Sequence, residues 1–413
     1  MRRRRMAHNM SFIRHTNIDS MPSGLIDAFG RFRISQPYTL FDSQHRYHDN
    51  EKWDTSLSSG ATISHDENAS LVNMNVTTTS GSQVIRQTKR VMAYQPGKSL
   101  LILTTFTLNQ PKTNLRQRCG YFDENNGIYF EVDEQTINLV LRSRTTGVIQ
   151  ETRIQRDNWN TDKLDGTGPS GISLNNFNHS LIMWIDIEWL GVGNVRVGFI
   201  LNGEYVNCHT FRHTPDNNPI IGTYMTTACL PLRLEITNKG ITSSNSTLKQ
   251  ICSSVVSEAG FEGIPKAFDI SLGTTVRKMV DADTNYPIIS IRMKSTRIKS
   301  IVVPSSISVV LTSNQIALYK VLLNPTLTGA SWSTHSNGVV EYDTSATAVI
   351  NGVSMISGYI DKGDSIEISN VKDFQYQLGS TISGISDIIT LIMASNSGNV
   401  DVLASLAWHE YIT

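Results

Sequence analysis

Residues 181–211 read LIMWIDIEWLGVGNVRVGFILNGEYVNCHTF, and their period decides the fold class. Apolar Leu181, Met183, Ile185, Ile187 and Trp189 alternate with Ile182, Trp184, Asp186, Glu188 and Leu190. A repeat of two sends successive side chains to opposite faces, so the stretch is a strand with a core face and a second face bearing both carboxylates. Asn202-Gly203 then supplies the two left-handed positions of a type I′ turn, which closes residues 197–211 into an antiparallel hairpin. The same grammar holds upstream: GIYFEVD (127–133), INLVLRSR (137–144) and VIQETRI (148–154) alternate between Asn126-Gly127 and Thr146-Gly147 turns. Helical periodicity is scarce throughout, so the chain is expected to be all-β.

With 413 residues, 39% of them hydrophobic, more than one core is expected. The division read from the sequence is an extended N-terminal arm (1–40), a jelly-roll β-sandwich (41–255), a short Gly/Pro-bearing linker (256–264, within EAGFEGIPKA) and a smaller C-terminal β-sandwich (265–413). The arm contains MPSGLIDAFGRFRIS, too few apolar residues for a core of its own. Lys+Arg and Asp+Glu both total 36, so no net field selects nucleic acid or an acidic membrane surface; the Arg2–Arg5 cluster is the local exception. No apolar run reaches the length of a membrane helix, and no secretory leader is read at the start, so no membrane insertion and synthesis in the cytoplasm are expected. Cys119, Cys208, Cys229 and Cys252 lack CxxC spacing and are expected to be buried free thiols.

Motif fragments fail on their contexts. GTGPSG (166–171) has the glycine spacing of a phosphate loop, but Pro169 removes an N–H and no helix follows. PGKS (96–99) has Met92 where a P-loop needs glycine and runs on into a strand. Asp123, Asn125 and Glu134 stand near calcium-loop positions with Gly127 one place early. Cys208, His209 and His213, like His45 and His48, lie too far apart along a strand to share a metal ion. No metal, no cofactor and no catalytic triad are expected.

The carboxylates of the opening stretch are the remaining chemistry. On one strand face their backbones stand ~6.7 Å apart, a separation compatible with paired glycosidase carboxylates. Residues 183–191 resemble the catalytic strand of laminarinase- and lichenase-type glycoside hydrolases, which reads roughly D-E-I-D-I-E-F-L-G on a concanavalin-like jelly roll. The match covers Ile185-Asp186-Ile187-Glu188 and Leu190-Gly191. It places Trp184 where that family has its nucleophile and Met183 at the preceding Asp, and tryptophan cannot form a glycosyl ester. The resemblance therefore implies the fold, and a face where Trp184, Asp186 and Glu188 would bind a glycan, rather than hydrolysis.

A broader resemblance spans most of the chain. LIDAFGRFRISQPYTLFDSQ (25–44), RQTKRVMAYQPGKSLLI (86–102), GYFDENNGIYFE (120–131), WNTDKLDGTGPSG (159–171) and WIDIEWLGVGNVRVGFILNG (184–203) are similar, in order, to blocks of virion structural proteins of tailed bacteriophages, cyanophages and other aquatic phages among them. That resemblance implies a non-enzymatic particle component on the capsid or tail, assembled in the host cytoplasm, with other virion proteins as partners and a homo-oligomeric state. The arm residues expected to dock are Leu25, Ile26, Phe29, Phe32 and Ile34 as apolar plugs, with Arg31 and Arg33 as polar partners. The alternative function is adsorption to a host surface glycan through the 181–190 strand.

Overall fold

The computed structural model describes residues 34–49, 51–214, 222–312, 315–361, 365–367 and 376–412. Of the expected arm contacts, Leu25, Ile26, Phe29, Arg31, Phe32 and Arg33 lie outside the described residues, as does the Arg2–Arg5 cluster. Ile34 is described and is 89% exposed.

The protein is all-β, and its first pair of sheets forms an antiparallel sandwich with jelly-roll crossovers. One sheet runs, edge to edge, Glu204–Phe211, Val195–Leu201, Leu181–Ile187, Leu100–Thr107, Ser246–Ser257, Leu71–Val76 and Thr62–Asp66, with Tyr38–Ser43 also paired to Ser246–Ser257. The other runs Gln150–Gln155, Thr136–Ser143, Gly127–Asp133, Leu115–Phe122, Leu232–Asn238, Gln83–Thr88 and Trp53–Ser58. Every pairing is antiparallel, and strands distant in sequence are neighbours in both sheets, as Greek-key crossovers require. The alternation read from the sequence explains the packing: Leu181, Met183, Ile185 and Ile187 point inward to meet Phe106, Phe130, Phe199 and Leu234 in one core. Asn202 and Gly203 have φ of 54° and 84°, as the type I′ turn demands, and Leu201 pairs with Glu204 across it.

The remaining strands make a second layered unit. Lys266–Ser271, Val400–Ile412, Ile301–Leu311 and Ser365–Glu367 form one sheet, to which Arg277–Met279 adds alongside Val400–Ile412. Ser333–Thr334, Val340–Asp343, Tyr286–Met293, Ile388–Ser395, Ala317–Leu323 and Val353–Ile360 form the other. Trp408, Leu406, Val309, Ile291 and Leu391 fill the space between. Pro304, which cannot donate within a ladder, sits where the register of Ile301–Leu311 shifts against Val400–Ile412.

The two units meet closely. Ile301 and Val303 belong to the first core, while Val302, Ile307 and Val309 of the same strand belong to the second. Lys299 donates to Asp123 and Glu124 at 2.6 Å each, Gln377 donates to the carbonyl of Val91, and the Ser380 and Ile382 amides donate to Lys89 O and Asp54 Oδ2.

One cysteine departs from expectation. Cys119, Cys208 and Cys229 are buried, but Cys252 is exposed. The pairing of Ser246–Ser257 with Leu100–Thr107 shifts between Gln250 and Ser253, and the residues skipped by this bulge, Ile251 and Cys252, are released from the regular inward alternation.

Candidate functional site

Strand Leu181–Ile187 lies between Leu100–Thr107 and Val195–Leu201 with Asp186 directly opposite Arg196. Arg196 donates through both Nε (2.8 Å) and Nη2 to Asp186 Oδ2, although its own side chain is 59% exposed. Asp186 is buried, and its other oxygen, Oδ1, has no hydrogen-bond partner among the described residues. Burial raises the Asp186 carboxyl above its ordinary pKa; Arg196 opposes this, and Glu258 and Glu188 add to the rise.

The strand ends at Ile187, so Glu188 sits on a turn rather than on the ladder. The turn is built by Leu190 (φ 36°) and Gly191 (φ 83°), with Gly193 N donating to Trp189 O and Glu188 N to Asn194 O. Gly193 is required because a Cβ there would collide with the carbonyl of Glu188. Tyr94 braces the turn: its hydroxyl accepts from Leu190 N at 3.1 Å and its ring meets Trp189 edge-on at 5.7 Å. These elements enclose an open cleft of about 520 Å³ lined by Asp186, Glu188, Asn194, Arg196, Tyr94 and Lys98, among others. Asn194 Oδ1 is a second buried acceptor without a partner among the described residues.

Of the three expected glycan-binding residues, the cleft brings together Asp186 and Glu188 and leaves out Trp184. Trp184 does occupy the outward face, but it is only 5% exposed and packs edge-on against Tyr205 at 5.7 Å, so its ring is not open for a sugar to stack on. That corrects its expected role as a platform. Sequence reading also missed Glu258, Arg196, Tyr94 and Asn194. Glu258 follows Ser246–Ser257, whose Ser257 pairs with Leu100; its amide donates to Ser99 O and its carboxylate accepts from Ser99 Oγ at 2.7 Å. Only the partly legible order of strands in the sheet would have placed it there.

The rejected motifs have structural occupations. Asp123 Oδ1 accepts from the amides of Asn125 and Asn126 at 2.7 and 2.8 Å, and its other oxygen accepts from Lys299, so the calcium-like stretch is a turn. In GTGPSG, Asp162 accepts from Leu164 N and Ser170 N, and Gly168 leaves room for that carboxylate. His209 Nδ1 accepts from Asn160 N, while His213 lies within hydrogen-bond distance of Gly193 O and stacks on Tyr224 with ring centroids 3.9 Å apart. Among the described residues no group of three or more His, Cys, Asp or Glu is placed to hold a metal ion. No described helix is long and apolar enough to cross a membrane.

No protein-family model matches this sequence, and no curated protein matches it. Solved structures align with about half of the chain. An endo-β-1,4-glucuronan lyase from the fungus Trichoderma reesei is 12% identical, covers 54% of this chain and 98% of its own, and has a TM-score of 0.36. The β-glucanase of Bacillus licheniformis is 8% identical over 54% of this chain and 99% of its own (TM-score 0.33). A CBM2 module of the evolved Dit protein of Lactobacillus casei BL23 phage J-1 is 5% identical over 56% and 100% (TM-score 0.35). At such identities no residue role passes from these proteins to this chain.

Proposed function

We propose that this chain is a non-enzymatic structural component of a tailed-phage particle, mounted on the capsid or tail. The observation that carries the reading is where the phage-like blocks sit. Residues 86–102 supply the Lys89 and Val91 carbonyls, and residues 120–131 supply Asp123 and Glu124, through which the first sandwich is fastened to the second. A body braced in this way suits assembly with other virion proteins. The cleft fits this reading: Asp186 is tied to Arg196, and Trp184, which the sequence resemblance sets at the glycosidase nucleophile's position, is packed away. Under this reading the arm residues Leu25, Ile26, Phe29, Phe32 and Ile34 dock on a neighbour, each contributing roughly 1.5–3 kcal/mol when fully buried, with Arg31 and Arg33 beside them. Antibody against the recombinant chain should label purified particles, and deletion of residues 1–37, which spares the strand Tyr38–Ser43, should abolish incorporation while the purified protein keeps its β circular dichroism. Absence of the chain from particles, or normal incorporation of the truncated form, would overturn the proposal.

A second reading is favoured by one feature of the cleft: Glu188, Lys98, Arg196 and Asn194 converge on it, polar groups that can exchange hydrogen bonds with sugar hydroxyls. Binding of host envelope polysaccharide that is lost in Asp186→Ala and Asn194→Ala would support this role. New reducing ends released from β-glucans would instead make the protein an enzyme.

A further inference from the structure

The outermost strands of the sheets differ in how they are protected. An exposed edge offers unpaired N–H and C=O groups to other chains, and proteins blunt it with charge, proline or brevity. Glu204–Phe211, Thr62–Asp66, Gln150–Gln155, Trp53–Ser58 and Lys266–Ser271 each carry at least one Asp, Glu, Lys or Arg, and Ser333–Thr334 is two residues long. Val353–Ile360, VSMISGYI, has eight residues with neither charge nor proline. It is the last strand of its sheet, and among the described residues no strand pairs with its outer side. Val353 and Tyr359 are 54% and 73% exposed.

We propose that this edge pairs antiparallel with the same strand of a second copy, joining two sheets across a dyad. The register against Ala317–Leu323 shifts at Met355, which leaves Ile356–Ile360 as the regular segment and Gly358 as its midpoint. A two-fold axis at Gly358 sets Tyr359 of one copy opposite Ser357 of the other, large against small, and Ile356 opposite Ile360. No like charges meet, and at the axis Gly358 presents no side chain of its own, its face being covered by Tyr319 of the neighbouring strand. A cavity of about 340 Å³ flanks Tyr359, between Leu318, Ile316 and Asn285, with room for side chains to adjust. An isologous contact of this kind closes on itself instead of growing into a fibre. It stands whether or not the protein resides in a particle.

The test is sedimentation of the full chain at micromolar concentration. The native protein should sediment as a dimer or an even multiple. Ser357→Lys/Tyr359→Lys and Ser357→Glu/Tyr359→Glu should each halve that mass with circular dichroism unchanged, because the dyad then opposes like charges twice. Mixing the two variants should restore the native mass, which misfolded variants would not do. A monomeric native protein, Lys and Glu variants that retain the native mass, or well-folded variants that fail to recombine on mixing would each overturn the proposal.

Discussion

His45 is 1% exposed, and neither of its ring nitrogens has a hydrogen-bond partner among the described residues. Burial first, and the nearby Arg86 charge second, lower its pKa to about 4; burial and then Arg212 lower His209 to about 4 as well. Unfolded, both rings take up protons near 6.5; folded, only near 4. Between these values the unfolded chain binds more protons, so this stability is complete above the window and is lost as pH falls through it. The urea midpoint should therefore drop on acidification across that range, and His45→Gln should flatten the dependence; an unchanged slope would show that His45 is not held neutral. Glu151 works lower on the scale. Burial alone would raise it, but hydrogen bonds from Tyr129 and Arg142, with the Arg142 and Arg153 charges, bring it down to about 2, so its contribution disappears only as pH falls from 4.5 towards 2. It belongs to a lattice on the outer face of the seven-stranded sheet, where Arg118 donates to fully buried Glu131 at 2.7 Å and to Glu235 at 3.4 Å. Arg118→Met would strip one cation from two buried carboxylates. Because Arg153 and Arg233 still reach them, the expected loss is about 3 kcal/mol by denaturant titration, the lower part of the range for broken buried pairs.

Turns carry as much of the candidate site as strands do. Gly193→Ala drives a methyl into the carbonyl of Glu188, so the turn that presents Glu188 and Asn194 must shift. A loss of about 1–3 kcal/mol is expected, with altered Trp189 fluorescence reporting the local change. The strand itself was legible in the sequence because its period of two is uninterrupted from Leu181 to Ile187, and the hairpin was legible because Asn202-Gly203 is chemically specific to its turn. Other features lacked any local signal. Period two says that Trp184 faces away from the core, but not that Tyr205 on another strand covers it. Cys252 is exposed by a bulge that depends on register against Leu100–Thr107, which one strand's own residues do not specify. Arg196 reaches the cleft, and Glu258 reaches Ser99 on its wall, through strand neighbours, and neighbour order is a property of the assembled sheet.

At the scale of the molecule, the question is whether two β-units behave as one. A chain of 413 residues would ordinarily be expected to unfold in steps, each core melting by itself. Here strand Ile301–Leu311 alternates between the two cores, with Ile301 and Val303 in the first and Val302, Ile307 and Val309 in the second. Tyr411, on the strand paired with it in the second unit, packs with Phe261 against the first core, their rings 5.8 Å apart. Melting either core therefore exposes side chains anchored in the other, and this part of the coupling is apolar, so salt does not screen it. Calorimetry should show a single transition. Ile301→Ala, which empties a fully buried site, should lower that transition by roughly 2–5 kcal/mol of stability without splitting it. Lys299→Met should act differently: it leaves the Asp123 carboxylate, which is 2% exposed, without its partner from the second unit, and so weakens the junction while sparing both cores. If Lys299→Met resolves two peaks where Ile301→Ala keeps one, the ion pair governs cooperativity; if the native protein already melts in two, the shared strand does not couple the cores.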